Sequence, residues 1–226
     1  NLSENFHKAK NFEKIGIETG EIKLNLGKMM KNKEKAVTVL TKGIEFLFKK
    51  NNVSYFKGKG SFKSSNEIVV SGDGKETIIK TGKAIISTGS EPVSIPGMEF
   101  DEEKIISSTG ALSLEKLPKK MVVVGGGYIG LEMGSVWSRL GTDVEVVEFL
   151  DHITPGLDHE ISSEFMKILK KQGIKFKLNT KVEKITKNGN GVNIEVIDKE
   201  NKKNNLEADV VLISVGRRPY TTGLNL

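Results

Sequence analysis

A chain of 226 residues holds one large domain or two small ones, and 37% hydrophobic with 28% charged residues places it with soluble globular proteins. It has no run of about 18 apolar residues that could span a membrane, and no cysteine, which excludes disulfides, cysteine nucleophiles, iron–sulfur clusters and cysteine zinc sites within these residues. The charge of +6 and pI near 9.2 raise a nucleic-acid surface, but the only arginines are Arg139, Arg217 and Arg218, and the lysines are interleaved with Glu and Asn, a solvated surface rather than a phosphate footprint.

The chain opens on Asn1 rather than Met, and NLSENFHKAK has no apolar core for a signal peptide, so a fragment or processed product is expected. From Asn25 to about Lys50, Met29, Met30, Val37, Leu40, Ile44, Leu47 and Phe48 recur at spacings of three and four. This predicts an amphipathic helix capped by Asn25, with Lys49 and Lys50 at its negative end. Val53 with Tyr55, Ile68 to Val70, Thr77 to Ile79 and Ala84 to Ile86 are β-prone runs separated by glycine turns, which predicts an antiparallel meander. Pro92, Pro96 and Gly97 then interrupt the periodicity and place a boundary near Ser90.

Met121 to Val124 is a continuous apolar strand entering a glycine turn, and Ile129, Met133, Val136, Trp137 and Leu140 mark a helix that ends at Gly141. Val144 to Val147 is the next strand, a helix capped by Asp158 runs to Gly173, and Ile174 to Leu178 is a third strand. The alternation predicts a parallel, right-handed βαβαβ unit. Val182 to Ile185, Val192 to Ile197 and Leu206 to Val215 add strands, with Asn188-Gly189-Asn190-Gly191 as one turn. The fold class expected is therefore α/β: a Rossmann-like unit with a parallel sheet and an antiparallel meander.

Gly125-Gly126-Gly127-Tyr128-Ile129-Gly130 fits GxGxxG, a weak signal alone in a chain with 24 glycines. Its place between a strand and a helix strengthens it, because backbone N–H groups at a helix N-terminus meet a pyrophosphate there. Gly125 permits the tight turn, Gly127 lets phosphate approach the backbone, and Gly130 lets helix and strand pack closely. Glu148 lies 18 residues beyond Gly130 at the end of the second strand, where its carboxylate can accept bonds from ribose hydroxyls. That favours NAD: a 2′-phosphate would be repelled, and the following Phe149 and Leu150 supply no arginine. Tyr128 either packs on the sheet or borders a nicotinamide pocket, and its position favours the pocket. Glu132 reads as an ordinary exposed charge. His7, His152 and His159 match no metal-binding spacing, so no metal site is expected, and no Ser-His-Asp order can be inferred.

The segment STGALSLEKLPKKMVVVGGGYIGLEMGSVWSRLGTDVEVVEFL, with FKLNTKV and VGRRP later, resembles the dihydrolipoamide dehydrogenase family of flavin-dependent pyridine nucleotide-disulfide oxidoreductases. The order of motifs persists from LNLGKMM onward, so the resemblance covers nearly the whole chain. It implies a parent enzyme in which dihydrolipoamide reduces an active disulfide, electrons pass to FAD, and the flavin delivers hydride to NAD. It further implies that Gly125, Gly126, Gly127, Tyr128, Ile129, Gly130, Leu131, Glu132, Glu148, Val182 and Gly216 line the NAD site. Gly60 and the Thr88-Gly89-Ser90 turn would touch FAD, and Glu132 is similar to a glutamate that pairs with a lysine near the flavin.

By the same resemblance, residues 1–89 are part of an FAD-binding domain, 90–221 the NAD-binding domain and 222–226 the start of a return to the FAD or central domain. The partners implied are a second copy in a homodimer and dihydrolipoamide carried on the lipoyl domains of 2-oxoacid dehydrogenase complexes; nucleic acid and membrane are not expected. The implied location is the mitochondrial matrix, with a plastid as the alternative. The family's first FAD glycine motif, CxxxxC disulfide and His-Glu pair have no counterpart here, so the 226 residues alone are expected to be inactive. The competing reading is a non-catalytic nucleotide-binding or assembly module, or a related flavin disulfide reductase.

Overall fold

The computed structural model describes residues 2–189 and 191–226. The turn expected at 188–191 therefore includes Asn190, which lies outside the described residues. In chain order the elements are α1 (Leu2–Ala9), a 3₁₀ turn (Phe12–Ile15), α2 (Leu26–Lys50), β1 (Lys59–Ser64), β2 (Glu67–Gly72), β3 (Lys75–Lys80), β4 (Ser90–Pro92), β5 (Ile105–Ile106), α3 (Ser108–Ala111), β6 (Lys120–Val124), α4 (Tyr128–Leu140), β7 (Asp143–Val147), α5 (His159–Lys171), β8 (Lys175–Lys177), β9 (Thr180–Asn188), β10 (Gly191–Asp198), β11 (Lys203–Ala208), β12 (Val210–Ile213) and β13 (Arg217–Pro219). They form two compact units: residues through Met30 with Pro92–Gly216, and Lys31–Glu91 with Arg217–Leu226.

The first unit is built on a five-stranded sheet of order β5-β12-β6-β7-β8, parallel at every pairing. A parallel sheet covered on both faces needs apolar residues at every position, not only alternate ones. Met121–Val124 and Val210–Ile213 meet that need, all eight being buried. Alternation of the pleat divides them between two cores. Met121, Val123, Val144, Val146 and Leu212 pack on the face carrying Leu131, Trp137 and Leu140 of α4 and Leu169 of α5. Val122, Val124, Val211 and Ile213 pack on the other face with Val192, Ile194 and Val196 of the β11-β10-β9 antiparallel sheet.

The expected helix ends are realised by their caps. Gly141 terminates α4 at φ +114°, a conformation open to glycine. The Asp158 carboxylate accepts from the N–H groups of Glu160 and Ile161 at the start of α5. Asn25 accepts from Lys28 N–H at 2.9 Å before α2. α1 is tied to the same unit through Phe6, which packs on the helix-side core, and through Ser3, whose hydroxyl accepts from Arg139 Nε at 3.1 Å.

Three expected strands are corrected. The run Leu206 to Val215 is not one strand: it breaks at Asp209, whose N–H donates to Lys120 O (3.0 Å) while its carboxylate accepts from Lys120 N–H (2.8 Å). The chain there passes from the antiparallel sheet (β11) into the parallel one (β12). Val53 with Tyr55, and Ala84 to Ile86, are β-prone but lie outside any strand. Ile85 is 91% exposed, because no described strand pairs with this segment. The meander of the second unit is instead β1-β2-β3, with Gly60 inside β1. In α2 the apolar positions Val37, Leu40, Ile44 and Leu47 are exposed and none of the helix is buried.

Candidate functional site

The turn between β6 and α4 is held by packed backbone at Gly125 and Gly130 and open at Gly127. Gly125 takes φ +105°, and a Cβ there would sit 2.6 Å from Ser214 O, so both conformation and space require glycine. A Cβ on Gly130 would meet Ser214 Oγ at 2.5 Å and Val123 Cγ1 at 2.9 Å, which is the close helix–strand approach expected of it. Gly127 differs: a Cβ there meets nothing within 4 Å. It is the N-cap of α4, extended at φ −75° and ψ 172°, and no side chain caps the helix. The first N–H groups of α4 have no intrahelical acceptor, so the turn offers donors and open space on one side and packed backbone on the other. That is the arrangement a pyrophosphate needs, and these residues fit one.

Glu148 stands at the end of β7 and is only 7% exposed. One carboxylate oxygen accepts from Gly126 N–H at 2.5 Å and the other from Leu150 N–H at 2.8 Å. A buried carboxylate is tolerated when its lone pairs are matched in this way. Each oxygen keeps a further lone pair, which is the acceptor that ribose hydroxyls require. The sequence reading expects Glu148 beside a ribose; the structure shows its carboxylate anchoring the glycine turn.

The loop after β7 completes the enclosure. Thr154, at φ +51°, donates its N–H to Gly126 O at 2.8 Å, and its hydroxyl lies 2.8 Å from that of Ser162 on α5. Ile153 is buried and would touch a Cβ on Gly126 at 3.2 Å. On β12's far side, Ser214 donates its hydroxyl to Val124 O (3.1 Å) and Gly125 O (3.3 Å). Ser214, Ile153 and Thr154 carry no sequence signal in isolation, because each is an ordinary residue whose contact with the turn lies 27 or more positions away along the chain. An expectation that residues following a strand end face the turn would have drawn attention to them.

The other expected residues are distributed around this turn. Tyr128 opens α4 with 68% of its surface exposed, and Ile129 beside it is half-buried. Leu131 points into the helix-side core, so it supports α4 from below. Glu132 is exposed. Val182 buries its side chain in the sheet–sheet core, which leaves only its backbone for a ligand. Gly216 follows β12 at φ +146°, and its carbonyl accepts from Val93 N–H at 3.0 Å. His152 and His159 have ring centroids 4.5 Å apart, with His152 Nδ1 2.6 Å from Asp151; among the described residues no group of His, Asp and Glu is arranged to hold a metal ion.

The pyridine nucleotide-disulphide oxidoreductase family model matches residues 2–225. The chain belongs to that family. It is 59% identical over 214 residues to a dihydrolipoamide dehydrogenase of Chaetomium thermophilum, covering 93% of this chain and 42% of the relative. It is 51% identical over 227 residues to the mitochondrial dihydrolipoyl dehydrogenase of Pisum sativum, covering 99% and 45%. The chain thus spans somewhat less than half the length of these relatives. Among solved structures, the HOCl-induced flavoprotein disulfide reductase RclA of Escherichia coli superposes with a TM-score of 0.73 at 30% identity, over 86% of this chain and 43% of that one. LpdA of Mycobacterium tuberculosis shares the fold at a TM-score of 0.87 and 21% identity, over 99% of this chain and 48% of that one.

The residues expected near FAD all fall in the second unit, where Thr88, Gly89 and Ser90 are bonded to the segment 217–220. Thr88 Oγ1 donates to Tyr220 O at 2.5 Å, Gly89 O accepts from Tyr220 N–H at 3.0 Å, and Ser90 Oγ accepts from Arg217 Nε at 2.7 Å. Gly60 sits in β1 opposite Val70.

Proposed function

We propose that this chain is the NAD-binding part of an enzyme of the dihydrolipoamide dehydrogenase kind, with NAD held between the Gly125–Gly130 turn and Glu148. One observation carries the reading: the buried Glu148 carboxylate is fixed at the turn by Gly126 and Leu150 N–H groups, while the uncapped start of α4 lies open beside Gly127. The turn would hold the pyrophosphate by backbone N–H groups, and Glu148 would accept from the adenosine ribose. A 2′-phosphate brought against Glu148 would meet a like charge, so NADP is disfavoured. Tyr128, exposed at the rim, would border the nicotinamide, and Ile129, Leu131, Glu132, Val182 and Gly216 would complete the surroundings through side chain or backbone. NAD bound there supplies a hydride acceptor.

In the intact enzyme FAD and a redox disulfide would stand between dihydrolipoamide and this site; the 226 residues contain no cysteine, so the disulfide must be supplied from outside them. Residues 1–89 would belong to the FAD domain, 90–221 to the NAD domain and 222–226 to the return. The relatives support this through identities of 59% and 51%. By the same similarity the enzyme would be a homodimer acting on lipoyl domains of 2-oxoacid dehydrogenase complexes in the mitochondrial matrix; for the location, the support is that the pea relative is a mitochondrial enzyme. Calorimetric titration of the chain with NAD and with NADP tests the site: saturable NAD binding with much weaker NADP binding supports the reading, and equal affinities refute the role of Glu148.

A further inference from the structure

We infer that the Ser214 hydroxyl is a positioning residue that holds the Gly125–Gly126 peptide in the orientation required for pyrophosphate binding. This rests on the reading that NAD binds at the turn. The peptide is restrained at both ends: its carbonyl accepts from Ser214 Oγ at 3.3 Å, and its N–H donates to Glu148 at 2.5 Å. The next carbonyl, of Gly126, is held by Thr154 N–H. Two successive carbonyl dipoles are thereby turned into the protein, away from the open side at Gly127.

The restraint has a physical purpose. Glycine lacks the Cβ that limits backbone rotation, so a peptide flanked by two glycines exchanges orientation at little cost. Reversed, it would aim the Gly125 carbonyl at the Glu148 carboxylate, exchanging attraction for repulsion and releasing that carboxylate from the turn. The Ser214 hydroxyl reaches the turn because Ser214 N–H itself donates to Val124 O at 2.8 Å, continuing the ladder of β12 on β6, and because glycine at 130 leaves room for Oγ. Ser214 touches no ligand atom in this arrangement; it acts through Gly125.

The test compares the unsubstituted chain with Ser214→Ala. Two measurements are made: affinity for NAD and for adenosine by titration, and hydrogen exchange of the Gly126 amide by NMR. Losing one hydrogen bond to a peptide that must then be ordered by the ligand should weaken NAD binding by about fivefold to tenfold. Adenosine, which lacks the pyrophosphate, should bind unchanged, and the Gly126 amide should exchange faster while the melting temperature stays close to that of the unsubstituted chain. Ser214→Thr, which keeps the hydroxyl, should restore slow exchange. Equal exchange in Ser214→Ala, parallel losses of NAD and adenosine affinity, or failure of Ser214→Ala to fold would each overturn the inference, the last by making the role structural. If the unsubstituted chain binds no NAD, the proposed function fails, and the Gly126 exchange comparison still decides whether Ser214 holds the turn.

Discussion

Replacing Glu148 by Ala should separate two contributions that the structure joins in one side chain. The carboxylate is buried and accepts from two backbone N–H groups, of which that of Gly126 lies in the buried turn. Leaving a buried donor unmatched costs about 1–3 kcal/mol. In a chain of this size each kcal/mol lowers Tm by about 2–4 °C. The same substitution removes the acceptor for ribose hydroxyls, so NAD binding should weaken by about 1–3 kcal/mol, or roughly 5- to 150-fold. Differential scanning calorimetry and isothermal titration read the two effects separately. Glu148→Gln, which keeps one acceptor oxygen and loses the charge, should be intermediate in NAD affinity and should narrow the gap between NAD and NADP. An NAD affinity unchanged in Glu148→Ala would refute the assignment of ribose binding to this carboxylate, whatever happened to Tm.

Gly130→Ala places a methyl group against Ser214 Oγ and Val123 Cγ1; overpacking of this kind costs about 1–3 kcal/mol, and thermal denaturation should show it alongside a loss of NAD affinity. The Asp101 carboxyl is opposed by burial, yet the Lys187 ammonium at 2.5 Å and the N–H groups of Glu103, Lys104 and Ile105 hold it well below the usual carboxylate range. A folded-state pKa depressed below the unfolded value contributes stability above about pH 4, lost as pH falls through the folded pKa. Asp101→Asn should therefore lower Tm at neutral pH and flatten its decline in acid; identical acid profiles for the two proteins would contradict this. Alone, the 226 residues should purify without flavin colour and form no NADH from NAD and dihydrolipoamide, because the dithiol is lacking and the FAD contacts are incomplete. Stoichiometric FAD, or turnover proportional to protein concentration, would show the contrary.

The Rossmann-like unit was legible because its signals are local. The apolar run Met121–Val124, the glycines behind it and the cap at Asp158 each act within a few residues. The break at Asp209 was not legible: β-propensity runs straight through it, and only the exchange of bonds with Lys120, 89 positions away, divides the strand. Ala84 to Ile86 failed for the opposite reason, since strand propensity needs a neighbouring strand and none of the described ones pairs there. At the site, Glu148 and the glycines stand at spacings a sequence displays. Ser214 and Thr154 reach the turn only through tertiary contacts, and no periodicity announces them. Val182, expected from resemblance to line the site, has its side chain in the sheet–sheet core, a placement that resemblance did not reveal.

The central claim, that NAD lies on the turn between β6 and α4 with its ribose at Glu148, is tested most directly by NMR titration of the isotopically labelled chain with NAD. The account predicts saturable shifts concentrated at the amides of Gly126, Gly127, Tyr128 and Ile129 and at Leu150, with little response to NADP at equal concentration. Saturable shifts confined to other residues, or none at concentrations that saturate known NAD-binding domains, would contradict it.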